Sequence, residues 1–199
     1  MKDAQVTELL YQALETELGG VQVYETAIRC TVNEDLREEW EGYLEETRNH
    51  VRIVNEIFSQ LDMDPEVETP GRAIVRSKGQ ALISAMEMAL DSGDKTAAQL
   101  VAAECVVDAE IKDHANWELI GEIAQELEGD KALVLQDAYD QVEEEEDEHL
   151  YHTQGWAREL WLESLGMTAV LPPPEEQKKV KTAIGAARAQ QSREDFIEG

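Results

Sequence analysis

A carboxylate and a histidine stand three positions apart in the acidic segment 145–149, as Glu146 and His149. If this segment is an α-helix, the two side chains project from the same face. The rest of that face is largely apolar, so both side chains would be buried. Burying a charged carboxylate is costly unless it is paired or binds a metal, and carboxylates mixed with imidazoles suit iron, manganese or zinc. The other positions on this face are Leu135, Tyr139, Val142, Thr153, Trp156 and Leu160.

The same pattern of spacings occurs once more, around His50. The positions that lead up to His50 repeat the intervals that lead up to His149. The predicted helix before each histidine helix carries a glutamate on its own apolar face, Glu17 in the first half and Glu110 in the second. An internal repeat of this kind indicates two copies of one helical pair, each with glutamate on its first helix and histidine on its second.

The two halves differ at one ligand position, because Thr47 stands three residues before His50 where the second half has Glu146. Two other residues could supply the missing ligand, and the sequence leaves both open. Glu46 is next to Thr47 and lies on nearly the same face, whereas His114 follows the second-half glutamate by one helical turn. The full set of predicted metal ligands is Glu17, Glu46, His50, Glu110, His114, Glu146 and His149.

Five helical segments are predicted to position these residues. Asn33, Thr69 and Asp94 are suitable N-caps, and Pro70 fits the first turn of a helix. A long connection, itself partly helical, joins the second and third long helices, which is a known arrangement in helix bundles. The predicted helices cover about 4–30, 33–61, 70–90, 95–128 and 130–165.

The predicted fold class is therefore all-α, an antiparallel four-helix bundle with a helical crossover between helices 2 and 3. An α-solenoid is the alternative for paired helices, but two repeats are too few for one. The bundle would cover 1–166, and a Pro-containing C-terminal tail would cover 167–199. The three prolines at 172–174 cannot lie inside a helix, and we expect the tail to dock on the body or on a partner subunit.

The formal charge of −27 over 199 residues is extreme. A surface this acidic disfavours nucleic acids and anionic membranes and attracts cations, although it could also serve solubility alone. Neither a signal peptide nor an apolar run of membrane-spanning length is apparent, so we expect a cytoplasmic protein. Cys30 and Cys105 lie off the apolar faces, and two reduced thiols are the default state in that compartment.

Over roughly residues 4–165 the chain resembles the ferritin-like superfamily, closest to its rubrerythrin and YciF-type stress-protein branches. The resemblance rests on Glu146-x-x-His149 with its repeat partner, and on the segment 43–50, which reads YLEETRNH. Thr47 departs from the superfamily, where Glu-x-x-His occurs on both helices. The resemblance implies two bound metal ions, iron first and manganese or zinc as alternatives, that handle Fe2+ with O2 or peroxide as a ferroxidase or peroxidase does. We also expect a homodimer or a higher homo-oligomer.

Two other functions stay open at the level of sequence. The protein could be a non-catalytic stress-response helical dimer whose metal is structural, or whose site has degenerated through Thr47. It could also be a purely structural bundle with a buried polar cluster, although the same polar residues recur in both halves. An oxidoreductase of this kind would take its electrons from elsewhere, because the sequence lacks the paired Cys-x-x-Cys motifs of full rubrerythrins.

Overall fold

Five α-helices make up the computed structural model, which describes residues 2–174. No β-strand occurs within that range, so the predicted all-α class is confirmed. Most of the predicted tail, from 175 onward, lies outside the described residues. None of the five helices combines the length and the hydropathy needed to span a lipid bilayer. The helices are α1 (Asp3–Cys30), α2 (Glu34–Gln60), α3 (Pro70–Asp91), α4 (Lys95–Glu126) and α5 (Asp130–Ser164).

Local side-chain chemistry sets where most of these helices begin. Asn33, Thr69 and Asp94 each accept a hydrogen bond from the backbone N–H three residues further on, which caps α2, α3 and α4. Pro70 occupies the first turn of α3, where its missing N–H costs nothing. Gly129 has a φ of 80°, which favours glycine, and the chain turns there from α4 into α5. The predicted helix starts therefore agree closely with those in the structure.

The four long helices form two antiparallel hairpins. Tyr11, early in α1, packs edge-on against Phe58, late in α2, with ring centroids 5.1 Å apart. In the second hairpin Trp161, late in α5, donates from Nε1 to Glu104, early in α4, over 2.9 Å. Across the hairpins α1 contacts α4, and α2 contacts α5. Each long helix thus has two long neighbours.

Two apolar clusters lie at opposite ends of these helices. One contains Trp40 of α2 and Trp156 of α5, both fully buried. The other contains Phe58 of α2 and Trp117 of α4. On each long helix the stretch between the two clusters carries buried polar and charged side chains instead. A polar layer therefore crosses the middle of the molecule, with apolar packing on both sides of it.

Helix α3 packs against α1 and α4 and is attached to α1 by two arginines. Arg72 donates from Nε to Glu15 over 2.7 Å, and Arg76 donates from Nε to the other carboxylate oxygen over 2.6 Å. Glu15 and Arg72 are each only 7% exposed. Burial alone would raise the pKa of Glu15, but the hydrogen bonds and charges of Arg76 and Arg72 outweigh burial and hold that pKa below its ordinary value.

We expect Arg72→Met to lower the free energy of unfolding by about 3 kcal/mol, because it leaves a buried carboxylate short of one partner. The lowered pKa of Glu15 means that this stabilisation is present at neutral pH and is lost as the pH falls below about 4. Urea unfolding at pH 7 and at low pH measures both effects. Arg52→Met is the control, since Arg52 pairs with Glu56 on the exposed face of α2 and its loss should cost under about 0.5 kcal/mol. Equal losses in the two variants would contradict the expectation.

Candidate metal centre

Six ionisable side chains from all four long helices meet in the polar layer. Each is at most 4% exposed, which is unusual for charged residues that lack a paired cation. This cluster contains four carboxylates and two imidazoles, and none of the described lysines or arginines is a member of it. The six are Glu17 of α1, His50 of α2, Glu110 and Asp113 of α4, and Glu146 and His149 of α5.

Glu146 occupies the centre of this cluster. Its Oε1 lies 3.0 Å from Nδ1 of His50 and 3.9 Å from Nδ1 of His149. The two imidazole rings are tilted at 32° to each other, with centroids 5.7 Å apart. The other carboxylate oxygen of Glu146 has no hydrogen-bond partner. One oxygen of Glu146 therefore lies within 4 Å of both imidazole nitrogens, so this carboxylate could hold a metal ion together with either histidine.

The outer carboxylates repeat the relation between the two halves. Glu17 Oε2 lies 3.7 Å from His50 Nδ1 in the first hairpin, and Glu110 Oε2 lies 3.8 Å from His149 Nδ1 in the second. Two groups of three residues could each hold a metal ion, because within each group the candidate ligand atoms all lie within 4.8 Å of one another. Glu146 belongs to both groups. The groups are His50, Glu146 and His149, and Glu17, Asp113 and Glu146.

Carboxylates outside the cluster fix the orientation of both imidazole rings. His50 Nε2 lies 2.7 Å from Glu145, and His149 Nε2 lies 2.7 Å from Glu46. A carboxylate only accepts, so in a neutral ring Nε2 carries the proton and Nδ1 presents its lone pair to the cluster. Histidines that bind metals usually donate their other N–H to a carboxylate in this way. Both rings thus turn Nδ1 toward the cluster, where each could serve as a nitrogen ligand.

Every member of the cluster has at least one buried polar atom without a hydrogen-bond partner. More than nine in ten buried polar groups in proteins are normally satisfied, so six such atoms in one volume need a common explanation. A bound cation would supply the missing partner for all of them. The donor set of carboxylate oxygens and imidazole nitrogens fits a metal ion. The atoms are Glu17 Oε2, His50 Nδ1, Glu110 Oε2, Asp113 Oδ1, Glu146 Oε2 and His149 Nδ1.

The electrostatics of the cluster lead to the same conclusion. Burial raises the pKa values of Glu17, Asp113 and Glu146 well above their ordinary ranges, and the neighbouring carboxylates raise them further. Burial also raises the pKa of Glu110, although His149 partly opposes that rise. Without a cation these carboxylates are therefore driven to take up protons, whereas a divalent ion would favour their charged forms.

Five of the seven residues predicted as ligands lie in the cluster, and two do not. Glu46 contacts Nε2 of His149 from the outer side, so it orients this imidazole and contributes no atom to either group of three. His114 lies with Asp147, whose Oδ1 is 2.8 Å from its Nε2, and with Glu118 at 3.9 Å. The five that meet are Glu17, His50, Glu110, Glu146 and His149.

Asp113 is the member of the cluster that sequence reasoning missed. It follows Glu110 by three residues, the same spacing that singled out His149 after Glu146, and that spacing could have found it. The first half has Gly20 at the corresponding place, where a Cβ would lie 3.2 Å from the side chain of Thr47. Gly20 and Thr47 in the first half thus correspond to Asp113 and Glu146 in the second half.

One family model matches the chain, over residues 6–154, and its description is a domain of unknown function, DUF892. The chain belongs to this family. The DUF892 match includes all six residues of the buried cluster. It also includes Glu46 and Glu145, which contact the imidazole rings, and it ends within α5 just after His149. No curated protein and no solved structure matches the chain.

Proposed function

We propose that this DUF892 chain is a di-metal carboxylate protein of the ferritin-like type that handles Fe2+ with O2 or peroxide. In this proposal α1, α2, α4 and α5 are the antiparallel four-helix bundle, and α3 is its crossover. The observation that carries the proposal is the pair of three-residue ligand groups that share Glu146. Ferritin-like di-iron proteins likewise collect glutamates and Glu-x-x-His pairs from four facing helices.

The charges of the donor set fit two divalent ions. Four carboxylates balance the charge of two such ions, and each half contributes one histidine. Iron or manganese suits this mixture of oxygen and nitrogen donors, with zinc as the redox-inert alternative. Asp113 supplies the carboxylate that Thr47 lacks, so neither Glu46 nor His114 is needed to complete the set.

When bound, a pair of redox-active ions would exchange electrons with O2 or peroxide. The chain's own part is to hold the donors in place. Trp117 donates from Nε1 to Glu17 over 2.7 Å and so fixes that carboxylate. The ring centroid of Tyr43 lies 4.2 Å from that of His149. Burial raises the pKa values of Tyr43 and Tyr24, so both phenols stay neutral and add no charge to the centre.

Anaerobic titration of metal-free protein with Fe2+, followed by exposure to O2 or peroxide, tests the proposal. We expect two Fe2+ per chain, and then consumption of the oxidant with Fe2+ oxidised at the site. The variant with both His50→Ala and His149→Ala should bind no iron tightly. Metal that binds but does not react with either oxidant would instead support the non-catalytic alternative with a structural metal. A chain that binds no metal would contradict the proposal.

We expect Asp113→Asn to remove one of the two tightly bound ions. The substitution keeps the shape of the side chain but takes away a charge from one of the two ligand groups. His114→Gln should leave the stoichiometry at two, because His114 faces Asp147 outside the cluster. Asp108→Asn is the matched control on an exposed part of α4. Calorimetric titration with Mn2+ measures the stoichiometry, and a loss in His114→Gln rather than in Asp113→Asn would reverse the assignment.

A further inference from the structure

A cavity of about 240 Å³ opens between α4 and α5 and reaches the buried cluster. Glu146 is part of its lining, although this residue is only 2% exposed, and one of its carboxylate oxygens has no partner. The other acidic lining residues are Glu118, Glu143 and Asp147, and His114 lies among them. The cavity therefore has a buried, unsatisfied carboxylate at its inner end and further carboxylates along its walls.

Exposure of these walls decreases from the mouth to the inner end. The side chain of Glu118 is 67% exposed, that of Asp147 is 14% exposed, and that of Glu146 is 2% exposed. His114 lies between Glu118 at the mouth and Asp147 further in, with one ring nitrogen 3.9 Å from Glu118 and the other 2.8 Å from Asp147. A cation moving inward would meet a carboxylate oxygen at each of these depths.

We infer that this cavity is the route by which a divalent cation passes from solvent to Glu146. The inference rests on the proposed function, because it concerns how the proposed centre is loaded. A divalent ion gives up part of its hydration shell as it enters a buried site, and carboxylates along the way replace the lost oxygen ligands. Acidic walls in a low-dielectric cleft also raise the local cation concentration and the association rate.

Two other faces of the molecule are less suited to the passage of a cation. A larger cavity of about 410 Å³ lies between α1, α3 and α4, but among the described residues that line it none belongs to the cluster. Its lining is mainly apolar, and its two lysines, Lys78 and Lys112, offset its two carboxylates, Glu15 and Asp108, so it lacks the excess of acidic groups of the first cavity. On the face between α2 and α5, Glu145 and Glu46 hold the imidazole rings in place, so entry there would require those hydrogen bonds to break.

Stopped-flow loading of the metal-free full chain with Co2+, followed by visible absorbance, tests the route. The double variant Glu118→Gln/Glu143→Gln neutralises the mouth at one exposed and one half-exposed position, where folding should be unaffected. We expect the bimolecular loading rate to fall by about fivefold, and a Glu118→Lys/Glu143→Lys variant to load more slowly still. The final Co2+ stoichiometry should match that of the wild type in both variants.

The matched control is Glu38→Gln/Glu41→Gln, which removes the same charge from exposed positions on α2. This control should load at nearly the wild-type rate, because neither residue lines the cavity and salt screens exposed charges that lie away from it. If the mouth variants load as fast as the wild type, or if the control is slowed equally, the route is wrong. A wild-type chain that binds no Co2+ at equilibrium would instead overturn the proposed centre, and the route with it.

Discussion

Glu146→Gln is expected to lower metal affinity by more than about 100-fold and, at the same time, to raise the melting temperature of the metal-free protein. The affinity falls because Glu146 belongs to both ligand groups, so its loss should exceed the 10- to 100-fold typical of residues that only support a ligand. The stability rises because a neutral amide replaces a desolvated carboxylate that neighbouring carboxylates repel. A gain of about 1 to 3 kcal/mol would raise the Tm by several degrees in a chain of this size.

The gain in Tm should depend on pH. Burial raises the pKa of Glu146 well above its ordinary value, so the wild-type chain is stabilised by protonation at low pH and loses that stability as the pH rises through the raised pKa. The difference between variant and wild type should therefore widen as the pH rises above the ordinary range of a glutamate pKa. Differential scanning calorimetry of metal-free protein measures it, with Glu148→Gln as an exposed control on α5. A variant that is less stable and still binds metal tightly would contradict the central role of Glu146.

The second large effect is expected from the two glutamates that orient the imidazole rings. Glu46→Gln should weaken metal binding by about 10- to 100-fold, because its carboxylate holds His149 through a 2.7 Å hydrogen bond. Glu145→Gln should weaken binding to a similar extent through His50. Neither residue contributes to a ligand group, so the stoichiometry at saturating metal should stay at the wild-type value.

Glu45→Gln is the matched control for Glu46→Gln, since Glu45 is the adjacent residue and its side chain is 72% exposed beside Arg48. Calorimetric titration of Mn2+ into metal-free protein gives affinity and stoichiometry together. A lower stoichiometry in Glu46→Gln would show that Glu46 is itself a ligand. Unchanged affinity in both Glu46→Gln and Glu145→Gln would show that ring orientation does not matter.

The helices and most of the cluster could be predicted because both depend on information that is local in the chain. Caps such as Asn33, Thr69 and Asp94 act within one helical turn, so their residue types suffice to place the helix starts. The helical spacing of apolar residues predicts which face of each long helix is buried. A glutamate or histidine on that face is a candidate ligand because buried positions are otherwise apolar. The internal repeat then linked faces that are far apart in sequence.

The sequence does not determine which neighbouring helix contacts the residues on either side of a helix's buried face. From Glu110, a residue three positions on lies about 60° to one side and a residue four positions on lies about 40° to the other. Only the packing of α4 between α1 and α5 decides that Asp113 points into the cluster while His114 lies against Asp147. The same uncertainty applied to Glu46, which turns toward α5 and not toward the histidine of its own helix.

The hydrogen bonds to the imidazole rings cross between the two hairpins in both directions. His50 in the first hairpin is oriented by a glutamate of the second, and His149 in the second is oriented by a glutamate of the first. An isolated hairpin would lack the hydrogen bond between its histidine Nε2 and a glutamate, because that glutamate belongs to the other hairpin. The proposed metal site therefore requires the docked pair of hairpins, and any motion that separates α2 from α5 would release both rings together.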